Sequence, residues 1–354
     1  MIDIDNNMLT KTLNEANYSL FGHKEQIAFL LNCINTGQIP NAWLFHGPVG
    51  IGKASLALNV AKLLSNTDIT KKKSLSCISE KDIRNPDIDV KVDNIFFCKR
   101  KWDDKKKLFH KNISVDEIRE LSRRFSLSAT DNTYKICIVD TTEDLNLSAS
   151  NSLLKILEEP PSKTLFILVS NNKQSILPTI LSRCQKIGFQ RLNEDDLQNI
   201  SAEVFQENEF NQLKKTSAIL SCEGSVKKLL NFLDTEYIEF FDSMKELLID
   251  LPHINRRKAM KLLGNKKTYL ASDDPDKSAF GILLKLLASL AKNEIDLANN
   301  DTAVKKESTL IAAHLHAQIS LLRHQSIEYN IDTKKVIFLA FNIIESAFAK
   351  FKKE

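Results

Sequence analysis

The sequence predicts an α/β P-loop domain, a parallel sheet with helices on both faces, followed by an all-helical remainder. Three observations carry this. Short apolar runs alternate with helical periodicities up to about residue 188. A phosphate-loop pattern stands between the first such run and the helix after it. Beyond Phe189 runs of strand type stop, and long amphipathic patterns continue to Glu354.

The elements follow in order. Ala42-Trp43-Leu44-Phe45 is a strand that ends in a glycine turn. Residues 54–64 then place Leu56, Val60, Leu63 and Leu64 on one helical face. Between this helix and the next strand lies a polar insertion, about 67–111, with Lys71-Lys72-Lys73 and Lys99-Arg100-Lys101. Residues 89–97 are a candidate extra strand within it. The basic runs read as a solvated face; the sharper alternative is phosphate contact, with Trp102 and Phe109 stacking on bases. Ser114-Val115-Asp116-Glu117 has the spacing of a capping box and opens a helix through Phe125. Lys135-Ile136-Cys137-Ile138-Val139 is a second strand, stopped by Asp140, and Thr164-Leu165-Phe166-Ile167-Leu168-Val169 is a third. Strands apolar along their whole length belong in a sheet covered on both faces. Asn193-Glu194-Asp195-Asp196 starts a helix, and Gly224 marks a helix–helix turn. Residues 273–276, with Pro275, form a loop, and 279–291, interrupted by Lys285, a buried helix. Asp332 or Thr333 caps a final helix over 336–351.

At 354 residues the chain is too long for one ordinary domain, and the expected division is 1–188, 189–236 and 237–354. It is 43% hydrophobic and 27% charged, which excludes a disordered chain. A net charge of +4 decides nothing about nucleic acid. The six cysteines, Cys33, Cys77, Cys98, Cys137, Cys184 and Cys222, never lie two to four residues apart, so zinc is not expected. Their scatter fits a reducing cytoplasm better than a disulfide scaffold. Residues 1–20 lack the apolar core of a signal peptide, and no run approaches the roughly 18 apolar residues of a membrane span. A cytoplasmic protein without membrane contact is the expectation.

Gly47-Pro48-Val49-Gly50-Ile51-Gly52-Lys53 follows a strand and precedes a helix, the context in which a phosphate loop is meaningful. Glycines let successive backbone N–H groups converge on one concavity, and the helix aims its positive end there. Lys53 adds a cation for the outer phosphates. At the next position a nucleoside triphosphatase carries a Ser or Thr hydroxyl for Mg²⁺. Here it is Ala54. Ser55 is turned away by about 100° of helix.

Two longer segments bring in a family. Leu153-Leu154-Lys155-Ile156-Leu157-Glu158-Glu159-Pro160-Pro161 is similar to the leucine-lysine-glutamate-glutamate-proline-proline signature of clamp-loader AAA+ subunits. Leu177-Pro178-Thr179-Ile180-Leu181-Ser182-Arg183-Cys184-Gln185 resembles their serine-arginine-cysteine motif, and Gln38-Ile39-Pro40-Asn41-Ala42-Trp43-Leu44-Phe45 the segment that leads into their phosphate loop. The matches keep the family's order over about 150 residues. The helical remainder carries no comparable motif; the resemblance implies a small helical lid and a collar domain.

Val139-Asp140 resembles the family's Walker B end, where the aspartate helps hold the metal. The water-polarising acid that follows in active members is replaced by Thr141, and the spacing gives Glu143 no reason to reach that place. The losses at 54 and 141 resemble the delta-prime type of subunit in the bacterial DNA polymerase III clamp loader. The family's four-cysteine zinc module is absent, since only Cys77 and Cys98 fall in that interval. The resemblance implies a hydrolysis-deficient component of the polymerase holoenzyme. Its partners would be gamma/tau-type and delta-type subunits in a hetero-pentamer, and through them the sliding clamp and primer-template DNA. Arg183 would act in trans as an arginine finger on a neighbour's ATP, a role suited to a permanently charged fork of donors. The alternative is an internal ion pair. Cys184 is expected to pack. Asn171 resembles the sensor-1 position, and Lys227 the sensor-2 position where active members have arginine. No cofactor is required; Gly47, Gly50, Gly52, Lys53, Ala54, Ser55, Asp140, Asn171 and Lys227 would hold ATP or ADP without turnover. Two other functions compete: an active gamma/tau-like motor, and a nucleic-acid-binding module built on the basic insertion.

Overall fold

Along each apolar run, alternate side chains enter two different cores. Trp43, Phe45, Ile136, Ile138, Leu165 and Ile167 join one; Leu44, Cys137, Val139, Phe166 and Leu168 join the other. This is the period-2 geometry of strands buried on both faces. The computed structural model describes residues 20–65, 78–84, 86, 94–103, 108–126, 134–204, 219, 222–232, 235–251, 253–265, 269, 277–291, 302–329 and 331–351. The loop expected over 273–276 and the strand residues expected over 89–93 lie outside them, as do the Lys71-Lys72-Lys73 run and Cys77.

In chain order the elements are α1 (Lys24–Asn35), β1 (Ala42–His46), α2 (Lys53–Ser65), α3 (Glu80–Arg84), β2 (Ile95–Cys98), β3 (Trp102–Asp103), β4 (Leu108–Phe109), α4 (Val115–Ser126), β5 (Lys135–Asp140), α5 (Leu147–Glu158), β6 (Thr164–Ser170), α6 (Pro178–Leu181) and β7 (Gln185–Gly188). Then come α7 (Glu194–Val204), α8 (Val226–Asn231), α9 (Thr235–Ile249), α10 (Arg256–Asn265), α11 (Ala279–Ala291), α12 (Thr302–Glu328) and α13 (Thr333–Phe351). The chain divides into two compact units: Met1–Asn208 with Glu223–Lys227, and Glu209–Cys222 with Lys228–Glu354.

In the first unit a five-stranded sheet has the order β2-β5-β6-β1-β7, every pairing parallel. The first core lies under α1 and α2, through Ile27, Leu30, Ile34, Leu56, Val60 and Leu63. The second lies under α4 and α5, through Ile118, Leu121, Phe125, Leu153, Ile156 and Leu157. Ser114 precedes α4 as expected, but only half of a capping box forms: Glu117 Oε2 accepts from Ser114 N at 2.7 Å and from Ser114 Oγ at 3.2 Å. Edge strand β7 exposes Gln185, Lys186 and Gly188 and buries only Ile187. A lysine there discourages further pairing. In the insertion, the backbones of Trp102 and Phe109 pair directly across the β3–β4 hairpin.

The second unit is all helical among its described residues. Helix α11 buries Ala279, Phe280, Ile282, Leu283, Leu286, Leu287 and Leu290 and packs on α12, which packs in turn on α13. Lys285 escapes that apolar run by donating to Tyr237 Oη at 3.2 Å. Tyr237, Phe240, Phe241, Tyr269 and Phe232 form an aromatic cluster, with Phe240 and Tyr269 stacked at 4.6 Å. Among the described residues, no helix is long and apolar enough to cross a membrane.

Candidate functional site

Because the strands are parallel, β1, β5 and β6 all deliver their carboxyl ends to one edge of the sheet. There the phosphate loop leaves β1. Gly47 N donates to Ser170 O across the strand ends (3.3 Å), and Leu56 N donates to Gly52 O (2.9 Å), the first bond of α2. The N–H groups of Lys53, Ala54 and Ser55 at the head of α2 therefore have no partner within the helix, which is how a helix offers donors to an anion. The glycines are required sterically. Gly50 has φ +74°, and a Cβ there would stand 2.5 Å from Ser225 Oγ; one at Gly47 would stand 2.3 Å from Phe189 O.

Lys53 is buried and folded back on its own loop. Its ammonium donates to Gly47 O at 2.9 Å, to Pro48 O at 2.5 Å and to Asn171 Oδ1 at 3.0 Å. Burial lowers its pKa to about 8, against the opposing charges of Asp140 and Glu143. Asp140 sits at the end of β5. Burial raises its pKa, Asp144 and Glu143 push the same way, and Lys53 and Lys99 oppose them.

Thr141 turns away from any work on water: its hydroxyl donates to Asp144 Oδ2 at 2.7 Å, and Arg100 Nε meets the same oxygen at 3.0 Å. The spacing gave Glu143 no route into the site, and here the structure corrects the expectation. A 3-10 turn over Thr142–Asp144, pinned by Thr142 Oγ1 donating to Val169 O (2.9 Å), swings Glu143 back. Its Oε1 accepts from Asn171 N at 2.8 Å, while Oε2 is buried without a hydrogen-bond partner among the described residues. Glu143 and Asn171 thus join Lys53 and Asp140 in one cluster. No sequence signal marks Glu143, because a single turn of tight helix, not a spacing rule, brings it in.

The far wall is built from segments distant in sequence. Gly50 O accepts from Lys227 N at 3.0 Å and from Ser225 Oγ at 3.3 Å. Lys227 itself is exposed, so its backbone makes this contact. Arg191 holds the segment through Glu223 O (2.8 Å) and Glu223 Oε2 (2.9 Å). On another side His23, buried, bonds Ile51 O at 2.7 Å through Nε2 and stands edge-on to Phe189 at 5.0 Å. Burial lowers its pKa. Sequence reasoning did not single out His23, Arg84 or Ser225. Arg84 ties Leu20 O (2.5 Å) and Gly22 O (3.0 Å) beside the loop.

The protein family described as DNA polymerase III, delta subunit, matches positions 22–193. This stretch, a little under half of the chain, is similar to clamp-loader subunits of DNA polymerase III. The tau subunit of DNA polymerase III from Bacillus subtilis (strain 168) is 28% identical over 58% of this chain and 35% of its own. The gamma subunit from Buchnera aphidicola subsp. Schizaphis graminum is 28% identical over 61% of this chain and 56% of its own. The delta' subunit from Bacillus subtilis (strain 168) is 31% identical over 46% of each. The chain thus spans between about a third and somewhat over half of the length of these relatives. A DNA polymerase III gamma subunit-related protein from Thermotoga maritima superposes with a TM-score of 0.47, at 15% identity, over 91% of this chain and 99% of that one.

The donor set at the loop does not fit a P-loop Mg²⁺. Ala54 has no hydroxyl and Ser55 is exposed. The phosphates of a nucleotide do find fitting partners, in the helix-head N–H groups and the Lys53 ammonium. Arg183 lies elsewhere on the same unit, after α6. Its side chain is 36% exposed and forms the internal ion pair expected as the alternative to a trans role, with Glu158 Oε1 at 2.7 Å, and Nη1 donates to Thr179 O at 3.0 Å. Beside it Cys184 is buried, and burial pushes its thiol up to about 11, so it packs as an inert residue.

Proposed function

We propose that this chain is a delta-prime-type subunit of a bacterial DNA polymerase III clamp loader. It holds nucleotide, ATP or ADP, without hydrolysing it and helps a ring of gamma/tau-type and delta-type partners load the sliding clamp on primed DNA. The observation that carries this reading is a phosphate loop with intact curvature beside Ala54 and a Thr141 whose hydroxyl is committed to Asp144. Such a site retains donors for phosphate and lacks the metal hydroxyl and the adjacent acid. Arg183 is paired with Glu158 but keeps part of its side chain at the surface, which supports a role on a neighbour's nucleotide, where fingers given in trans are worth roughly 10³ to 10⁵ in rate.

The test is reconstitution with candidate ring subunits and a clamp- and DNA-stimulated ATPase readout. With Arg183→Ala the stimulated rate at the facing site is expected to fall by about 10³ or more. An unchanged rate in a fully assembled complex ends the proposal. A second reading, an active gamma/tau-like motor, is favoured by one observation: Glu143 reaches the cluster, and its buried Oε2 has no hydrogen-bond partner among the described residues. Mg²⁺-dependent turnover by the purified chain, abolished by both Lys53→Ala and Glu143→Gln, would establish it instead. A nucleic-acid role for the basic insertion has less support. Arg100 is paired with Asp144 and Lys101 with Glu117 at 3.5 Å, so local carboxylates already neutralise these two cations.

A further inference from the structure

Two segments that sequence analysis singled out separately meet in space, and nothing so far explains why. Glu158 ends α5, in the leucine-rich segment that runs into Pro160-Pro161. Arg183 follows α6 in the serine-arginine-cysteine segment. Twenty-five residues apart in sequence, they meet at 2.7 Å.

The position of Glu158 is informative. A carboxylate in the last turn of a helix faces the unpaired carbonyls and the negative end of the dipole, the place least favourable to it. A guanidinium alongside offsets that. Arg183 gains a fixed pose in return. Its Nη1 is tied to a main-chain carbonyl, Thr179 O, and its Nη2 to Glu158. Its base is fixed as well, since Arg183 N donates to Ile180 O (3.1 Å) and the next side chain, Cys184, is buried. A guanidinium has five N–H donors. The two anchors take one from each of two nitrogens, and the others have no partner among the described residues. One edge of the fork is held and the rest stays available. A group that must meet phosphate oxygens in a set orientation gains from being held there beforehand.

We infer that Glu158 is the positioning residue for Arg183, holding the guanidinium in one pose so that its remaining donors are available to a neighbouring subunit's phosphate. This rests on the proposed trans role of Arg183. Glu158 touches no substrate itself. Both side chains are partly exposed, 36% and 44%, so the pair is a modest one, and its effect on rate is a few-fold rather than total.

The experiment uses the reconstituted complex with cognate ring subunits, assembly being checked by size-exclusion chromatography for each variant. Glu158→Ala is expected to lower kcat of the stimulated ATPase about two- to fivefold, the range of an exposed ion pair, with KM for ATP unchanged. Glu158→Gln, which keeps an acceptor oxygen at the same reach, is expected to fall between Ala and wild type. In an Arg183→Ala background, Glu158→Ala is expected to cost nothing further, a cancellation that a merely structural role does not produce. If Arg183→Ala lowers the rate and Glu158→Ala does not, the positioning role is overturned and the trans role stands. If Glu158→Ala lowers the residual rate of Arg183→Ala by its usual factor, it acts elsewhere and the inference is again overturned. If Arg183→Ala itself has no effect, the underlying function fails and the inference with it.

Discussion

At the scale of single residues, the charge most out of place is that of Lys53. Its folded pKa is lowered from 10.5 to about 8, by burial above all. Between these values the unfolded chain holds more protons than the folded one, so this group makes stability rise with pH across that window. Below pH 8 the penalty of burying the cation is present in full. A Lys53→Met variant lacks this dependence. Thermal denaturation at pH 7.5, 9 and 10 is therefore expected to show the difference in Tm moving in favour of wild type as pH rises. A parallel pair of curves contradicts the assignment. The same cluster shows how residue identity and residue reach differ. Ala54 and Thr141 could be read directly, since each is a missing chemical group at a fixed place in a motif. Glu143 could not, because its contribution depends on a tight turn that bends the chain back toward Asn171.

At the scale of elements, the caps read in the sequence give a direct test. Asp332 Oδ1 accepts from Lys335 N at 3.0 Å, so it, and not Thr333, starts α13. Asp332→Ala is expected to cost about 0.5–2 kcal/mol in urea denaturation, and Asp332→Asn much less, since the amide oxygen caps as well. The three long strands were legible because each carries enough apolar residues for both faces. Strand β7 was not: Gln185-Lys186-Ile187-Gly188 buries one side chain, and its place comes from main-chain pairing with β1. The β3–β4 hairpin escaped notice for a similar reason, each of its strands being two residues long. Main-chain contacts also hid the wall formed on Gly50 by Ser225 and Lys227, since no side-chain pattern encodes a peptide N–H meeting a carbonyl. Asn171, marked in the sequence only by its resemblance to the sensor-1 position, joins the cluster through both its side chain and its main chain. Its side-chain oxygen accepts a hydrogen bond from Lys53 while its N–H donates to Glu143.

At the scale of the whole molecule, the chain carries separate cores in two compact units. Phe166 is fully buried in the sheet and Leu286 fully buried in α11. Truncation to Ala is expected to cost about 3–5 kcal/mol at Phe166 and about 2–5 kcal/mol at Leu286. Scanning calorimetry is expected to resolve two transitions, with Phe166→Ala lowering one and Leu286→Ala the other. A single transition that both variants shift equally would show one cooperative unit instead. The proposed assembly role also belongs to this scale, because Arg183 has work to do only beside another chain. The fastening of Lys53 bears on timing there. Its ammonium is tied to two peptide oxygens and an amide, so under the proposed nucleotide role a polyphosphate engages the lysine only after these bonds break. Capture on that proposal is an exchange with its own gate, and the rate of loading is expected to level off at high nucleotide concentration in a stopped-flow measurement instead of climbing with it.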